Sequence, residues 1–192
     1  MTNDLRPDKT WSLFLDRDGV INVEKKEDYI YNWDEFIFYE GVKAAMKIFN
    51  TIFGNIIMVT NQRGVGRGLM TETNLQDIHR RMIEEIECSG GRLDKIYYST
   101  TTDNTDPRRK PNSGMAFEAK KDNPVINLTN AIIIGNNLSD MQFGKGAGMH
   151  TILLNTTSDA VKLPHPLVDH QFSSLLDAAL FINNKKTAEI VK

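Results

Sequence analysis

Two carboxylates two residues apart close the first apolar run of the chain: Trp11-Ser-Leu-Phe-Leu15 leads straight into Asp16-Arg-Asp18-Gly-Val-Ile-Asn22. Crowding two acids at the end of an apolar segment is unfavourable unless a cation or a proton is shared between them. Such a pair can divide a reaction, Asp16 as nucleophile and Asp18 as general acid and base. It can equally be a polar turn, since Asp and Gly are common there. A second cluster, Thr60-Asn61-Gln62-Arg63-Gly64-Val-Gly66-Arg67-Gly68, follows the run Asn55-Ile-Ile-Met-Val. A hydroxyl, Gly-rich backbone and two guanidinium groups suit an anion, phosphate above all. The glycine spacing matches neither a P-loop nor a dinucleotide fingerprint, so a surface loop stays open as a reading. Arg108-Arg109-Lys110-Pro111 offers a fixed positive charge at Lys110, or a solvated basic run. Gly135-Asn136-Asn137-Leu-Ser-Asp140 offers short oxygen-bearing side chains of the kind that hold a hard cation such as Mg²⁺.

These clusters must be brought together, and the pattern between them predicts how. Runs 11–15, 55–60, 95–99, 131–134 and 151–154 read as buried strands. Between them Val42, Ala45, Met46, Phe49 and Phe53 keep helical spacing, as do Leu75, Ile78, Met82 and Ile86 in a helix that Thr71 can cap. Leu175, Leu176, Ala179 and Leu180 suggest a C-terminal helix. Strand and helix in alternation predict an α/β fold: one Rossmann-like, doubly wound, mostly parallel sheet covered on both faces. Ligands of such sheets bind beyond the carboxyl ends of the strands, which is where all four clusters stand. A single domain over 1–192 is expected, its core about 11–183, with polar tails.

Composition narrows the function classes. With 23 basic and 25 acidic residues the net charge is -2, which removes the bulk electrostatic case for nucleic acid or an anionic membrane. One cysteine, Cys88, excludes an internal disulfide framework; set in a helical pattern, it is expected to be buried or half-buried. The polar start MTNDLRPDKT has no apolar signal core and no run reaches membrane length, so a cytoplasmic protein is expected. His79, His150, His165 and His170 follow no metal-ligand spacing. A receiver domain, which also uses Asp, Thr, Lys and Mg²⁺, is disfavoured because no Asp closes the third run.

FLDRDGVIN, VTNQRGVGRGLMT, RKPNSGM and GNNLSDMQFGKGAGM together resemble the haloacid dehalogenase (HAD) superfamily of phosphatases, in particular its capless subgroup acting on heptose bisphosphates and histidinol phosphate. The resemblance runs from about residue 11 to about 155. It implies that Asp16 attacks phosphorus, that Asp18 protonates the leaving oxygen and then activates water, and that Thr60, Asn61 and Gln62 bind phosphate. It implies that Lys110 neutralises the phosphate and that Arg109 faces the substrate. Mg²⁺ would sit among the Asp16 carboxylate, the Asp18 carbonyl and residue 136, with Asp140 behind. Only 44 positions separate Asp16 from Thr60 and 50 separate Thr60 from Lys110, which leaves no room for a cap. Selectivity then falls to loops 23–40, 62–70 and 99–109.

Two departures stand out. The subgroup usually has aspartate where this chain has Asn136, and lysine where it has Asn137, so one negative charge leaves the metal site. The loop before RKP, Ser99–Arg108, has no Cys or His, and no zinc is expected there. The expected activity is Mg²⁺-dependent hydrolysis of a small sugar-phosphate monoester through an aspartyl-phosphate, by a monomer. A heptose bisphosphate is favoured because Arg63, Arg67 and Arg109 could read a second phosphate. Histidinol phosphate is the alternative substrate, and a low-activity binding or regulatory protein is the alternative class, because of Asn136. Tyr29, Tyr31, Trp33, Phe36 and Phe38 are expected to pack a short hairpin over 29–39 or to line the site.

Overall fold

The structure, a computed structural model, describes residues 5–157 and 159–187. Six strands form one sheet: β1 (Ser12–Leu15), β2 (Asn55–Asn61), β3 (Lys95–Ser99), β4 (Ala131–Gly135), β5 (His150–Leu154) and β6 (His170–Phe172). Their order is β3-β2-β1-β4-β5-β6, and every neighbouring pair is parallel. The fold is thus α/β and doubly wound. β6 was absent from the sequence reading because its three residues are only half-buried and form no apolar run. It exists by pairing with β5.

Helices α1 (Val42–Ile52), α2 (Arg63–Gly66), α3 (Glu72–Cys88), α4 (Gly114–Asp122), α5 (Leu138–Ala147) and α6 (Leu175–Thr187) complete the elements. Alternate residues along the strands serve opposite faces. Leu13, Leu15, Ile132 and Ile134 face α1, α3 and α6 in one apolar layer, while Phe14, Ile133 and Val59 face α4 and α5 in the other. Both layers are dry, so the strands read as continuous apolar runs. α3 starts where expected: Thr71 Oγ1 accepts from Asn74 N at 3.1 Å, and Asn74 Oδ1 accepts from Thr71 N in return. Leu5 also belongs to the core, so burial begins earlier than residue 11.

Two expectations are corrected. Cys88 is exposed. It lies two residues beyond Ile86, the last buried position of α3, and so on the opposite side of the helix. The 29–39 segment is a loop with one 3₁₀ turn, Trp33–Glu35, and no hairpin. Glu35 Oε2 accepts from Tyr31 N at 2.9 Å, a local side-chain bond that competes with strand pairing. Phe36 stacks on Trp33 and meets Phe38 edge to face, with centroids 5.0 Å apart in both pairs, and the three lean on the core.

Helix α5 rests on β4 through Gly144. A Cβ there would lie 2.3 Å from Ile133 Cγ2, so the helix sits lower on the sheet than any side chain permits. Gly144→Val should therefore lower the unfolding free energy in urea by about 1–3 kcal/mol through overpacking. An unchanged midpoint would mean that α5 can lift from β4 without cost.

Candidate active site

The strand order reverses between β1 and β4, and a crevice opens at their carboxyl ends. Asp16 follows β1 directly and extends its ladder, with Asp16 N donating to Ile134 O at 3.0 Å. Asn136 follows β4. Lys110 reaches the same place from the long connection between β3 and α4. Its Nζ donates to Asp16 Oδ1 at 2.8 Å and to Asp140 Oδ1 at 2.6 Å. Only 2% of the Lys110 side chain is exposed, so a cation that water cannot reach is held by two acids. Burial works against that charge, but Asp140 and Asp16 outweigh it and hold the Lys110 pKa above its ordinary value. Asp140, in the first turn of α5, uses its other oxygen to accept from Asn137 N at 3.0 Å.

Asn61, at the end of β2, grips Lys110 from the other side. Its Nδ2 donates to Lys110 O at 3.0 Å and its Oδ1 accepts from Lys110 N at 3.1 Å. The side chain expected to bind phosphate is thus occupied in fixing the main chain of the lysine. Gln62 Nε2 donates both to Thr60 Oγ1 (2.9 Å) and to Asp18 Oδ2 (3.0 Å), tying the β2 end to the β1 turn. Asp16, Asp18, Thr60, Asn61, Gln62, Lys110 and Asp140 line one cavity of about 170 Å³, the share of roughly six liquid waters. That is room for one small anionic group. Tyr29 is the aromatic of the 29–38 set that reaches it.

Arg17, between the two aspartates, carried no expectation and turns out to be central. It is 1% exposed; its Nη2 donates to Asp18 Oδ1 and Oδ2 at 2.8 and 2.9 Å. Its Nη1 faces His79 Nε2 at 3.4 Å. Burial, then the Arg17 charge, push the His79 pKa down to about 3, so the imidazole is neutral and Nε2 accepts. Burial alone would raise Asp18, but Arg17, Asn22 and Gln62 together hold it below the usual carboxylate range. Asp16 moves the other way. Burial raises it, Lys110 opposes, and Asp140 adds to the rise, leaving it at about 7. The two carboxyl groups are thus driven apart, Asp16 upward and Asp18 downward. The reason is that Arg17 reaches only the second carboxylate. The only sequence signal for Arg17 was a base between two acids at a strand end.

Arg63, Arg67 and Arg109 stand outside the cavity. Arg63 Nη2 and Arg109 Nε both donate to Asn104 Oδ1, at 2.6 and 3.2 Å. Burial, then Arg63 and Arg67, lower the Arg109 pKa, so all three share one field. Loops 62–70 and 99–109 therefore do assemble a cationic group next to the cavity.

The donors fit a hard divalent ion. Five carboxyl side chains line the cavity against three cationic ones, Arg17, Lys25 and Lys110, and Lys25 pairs with Glu35. Among the described residues no three His, Cys, Asp or Glu side chains form a ligand cluster. The oxygen donors at hand there are carboxylates, carboxamides and main-chain carbonyls, a set that would suit Mg²⁺ and its retained waters. No helix among the described residues is long and apolar enough to cross a membrane.

A family model described as HAD-hydrolase-like matches residues 107–178. A Campylobacter jejuni protein named D-glycero-alpha-D-manno-heptose-1,7-bisphosphate 7-phosphatase is 38% identical over 146 residues, 76% of this chain and 83% of its own length. A Neisseria meningitidis serogroup B protein named for the beta anomer is 30% identical over 187 residues, 92% of this chain and 96% of its own. Among solved structures, a D,D-heptose 1,7-bisphosphate phosphatase from Burkholderia thailandensis superposes with a TM-score of 0.65 at 26% identity, covering 89% of this chain and 97% of that one. The fold is also that of the B. bronchiseptica D,D-heptose 1,7-bisphosphate phosphatase complexed with magnesium and phosphate, with a TM-score of 0.81 at 24% identity, covering 91% of this chain and 99% of that one.

The raised Asp16 pKa has a stability signature. Its folded pKa is about 7 against 3.8 unfolded, so between those values the folded chain binds more protons. The contribution of this carboxyl is complete below about pH 4 and falls as pH rises to 7. Asp16→Asn cannot ionise and escapes that loss. In EDTA, the melting temperature of Asp16→Asn minus that of the wild type should grow from pH 4 to pH 7 and level off above. A difference that stays flat would contradict the assignment.

Proposed function

This chain belongs to the D-glycero-D-manno-heptose-1,7-bisphosphate 7-phosphatase family of HAD-like hydrolases, and from that premise we propose that it removes the 7-phosphate of that sugar bisphosphate in a Mg²⁺-dependent reaction. The observation that carries the reading is the buried Lys110 ammonium, placed between Asp16 and Asp140 in the wall of a cavity that Asp18 and Thr60 also line.

Lys110 and Thr60 receive the phosphate oxygens, and the low exposure around Lys110 makes its charge effective there. The Asp16 carboxylate, the Asp18 carbonyl and the Asn136 carboxamide would hold Mg²⁺, which would supply the charge neutralisation that lets an anionic nucleophile approach an anionic ester. Asp16 reacts as its carboxylate, the form that the Lys110 ammonium beside it favours. An Asp16 oxygen forms a bond to phosphorus as the phosphorus–ester oxygen bond breaks. The leaving oxygen takes a proton from Asp18. Asp18, then ionised, removes a proton from water, whose oxygen attacks phosphorus and releases inorganic phosphate with the Asp16 carboxylate restored. Arg17 prepares Asp18 for the second half of this cycle, the basic form. The incoming phosphate dianion favours the first half, because like charge raises a carboxyl pKa.

The arginine group around Asn104 supports a substrate with two phosphates. A histidinol phosphate has one and would leave Arg63 and Arg109 without an anionic partner. Asp16→Asn should reduce phosphate release to background, and Asp18→Asn should lower kcat by about 10²–10⁴. Arg63→Met and Arg109→Met, singly, should each raise KM for the bisphosphate by roughly 10-fold or more, the worth of one charged hydrogen bond. KM for p-nitrophenyl phosphate should barely move. Equal turnover of heptose bisphosphate and histidinol phosphate would speak against the substrate.

A further inference from the structure

Asn136 is fully buried, and its carboxamide is held by two groups from outside the β1–β4 pair. Nδ2 donates to Glu24 Oε2 at 3.0 Å and to Thr157 Oγ1 at 2.7 Å. An ionised carboxylate only accepts, so the end of the carboxamide facing Glu24 is nitrogen, and the oxygen is the end that would act as a metal donor. Gly19 (φ +82) lies so close that a Cβ there would sit 2.0 Å from Nδ2, which leaves the amide little freedom to turn. Thr156 Oγ1 donates to Gly19 O and ties the 156–157 segment to the same turn.

Glu24 itself lines the catalytic cavity. The basic residue next to it, Lys25, pairs with Glu35 at 2.8 Å.

We propose that Glu24 is a positioning residue of the cation site, supplying through the Asn136 carboxamide the negative charge that position 136 lacks. The inference rests on the Mg²⁺-dependent reading above. A carboxylate bonded to the N–H end of an amide polarises it and makes its oxygen a stronger donor, as carboxylates do for metal-bound imidazoles. The pairing also explains why asparagine is suited to this site. An aspartate at 136 would put a second carboxylate oxygen against Glu24 at the distance Nδ2 now spans, where like charges repel.

The test is calorimetric titration of the purified full-length chain with MgCl₂ alone, together with melting temperature in EDTA. Glu24→Gln keeps an oxygen acceptor for Asn136 and removes only the charge. It should weaken Mg²⁺ binding about 10- to 100-fold with no loss of melting temperature in EDTA. Asn136→Asp should lower the melting temperature in EDTA, while Glu24→Gln/Asn136→Asp should recover Mg²⁺ affinity to within about threefold of wild type or better. If Asn136→Asp alone does not fold, Glu24→Gln still decides. Glu24→Gln within about twofold of wild type, or a double variant that binds as weakly as Glu24→Gln, overturns the proposal. Should the wild type bind Mg²⁺ and hydrolyse the bisphosphate while Glu24→Gln binds equally well, the phosphatase reading stands and only this inference falls. A wild type that does neither overturns both.

Discussion

A single buried ammonium organises this molecule. Lys110 is drawn out of water to a point where the ends of β1 and β4, the first turn of α5 and the connection after β3 meet. A lysine in that position is unfavourable unless it is fully paired, and the two carboxylates that pair it come from different strand ends. Each contact therefore does two jobs. Asp140 neutralises the lysine and caps α5; Asp16 neutralises it and is the group that reacts. The parallel sheet is the frame that makes such a meeting possible, because it delivers the ends of all its strands to one edge.

The two aspartates show how environment, rather than sequence order, assigns protonation. They are two residues apart, Asp16 buried and Asp18 half-buried, yet one is pushed up and the other held down. The difference is Arg17, whose guanidinium fork lies against Asp18, supported by an imidazole that burial keeps neutral. A crowded pair of acids can share a proton in either sense, and a third group has to break the tie.

Much of this was readable before any coordinates. Apolar runs of five residues flanked by helical periodicity yielded five of the six strands, and the placement of Asp16, Thr60, Lys110 and Asn136 at or beyond strand ends put them at one edge. The rest depended on contacts across long sequence separations. Asn61 was read as a phosphate ligand because it neighbours Thr60; that its side chain closes on the main chain of Lys110, 49 residues away, has no local signature. Glu24 and Thr157, 133 positions apart, both close on Asn136. β6 carries no apolar run because an edge strand is buried on fewer sides. Cys88 was misplaced because its apolar type was weighed above its spacing, which sets it two residues off the Leu75–Ile86 face.

The two-way bond between Asn61 and the Lys110 main chain has an architectural consequence. The loop leading up to Lys110 is anchored at its last residue, by its backbone, to a strand that belongs to the rigid frame. The loop before that anchor, including Asn104 and Arg109, can change length or composition without shifting the ammonium. Recognition and reactivity are thereby hinged apart: a new ester can be accommodated by recutting one surface segment while the reacting centre stays where it is.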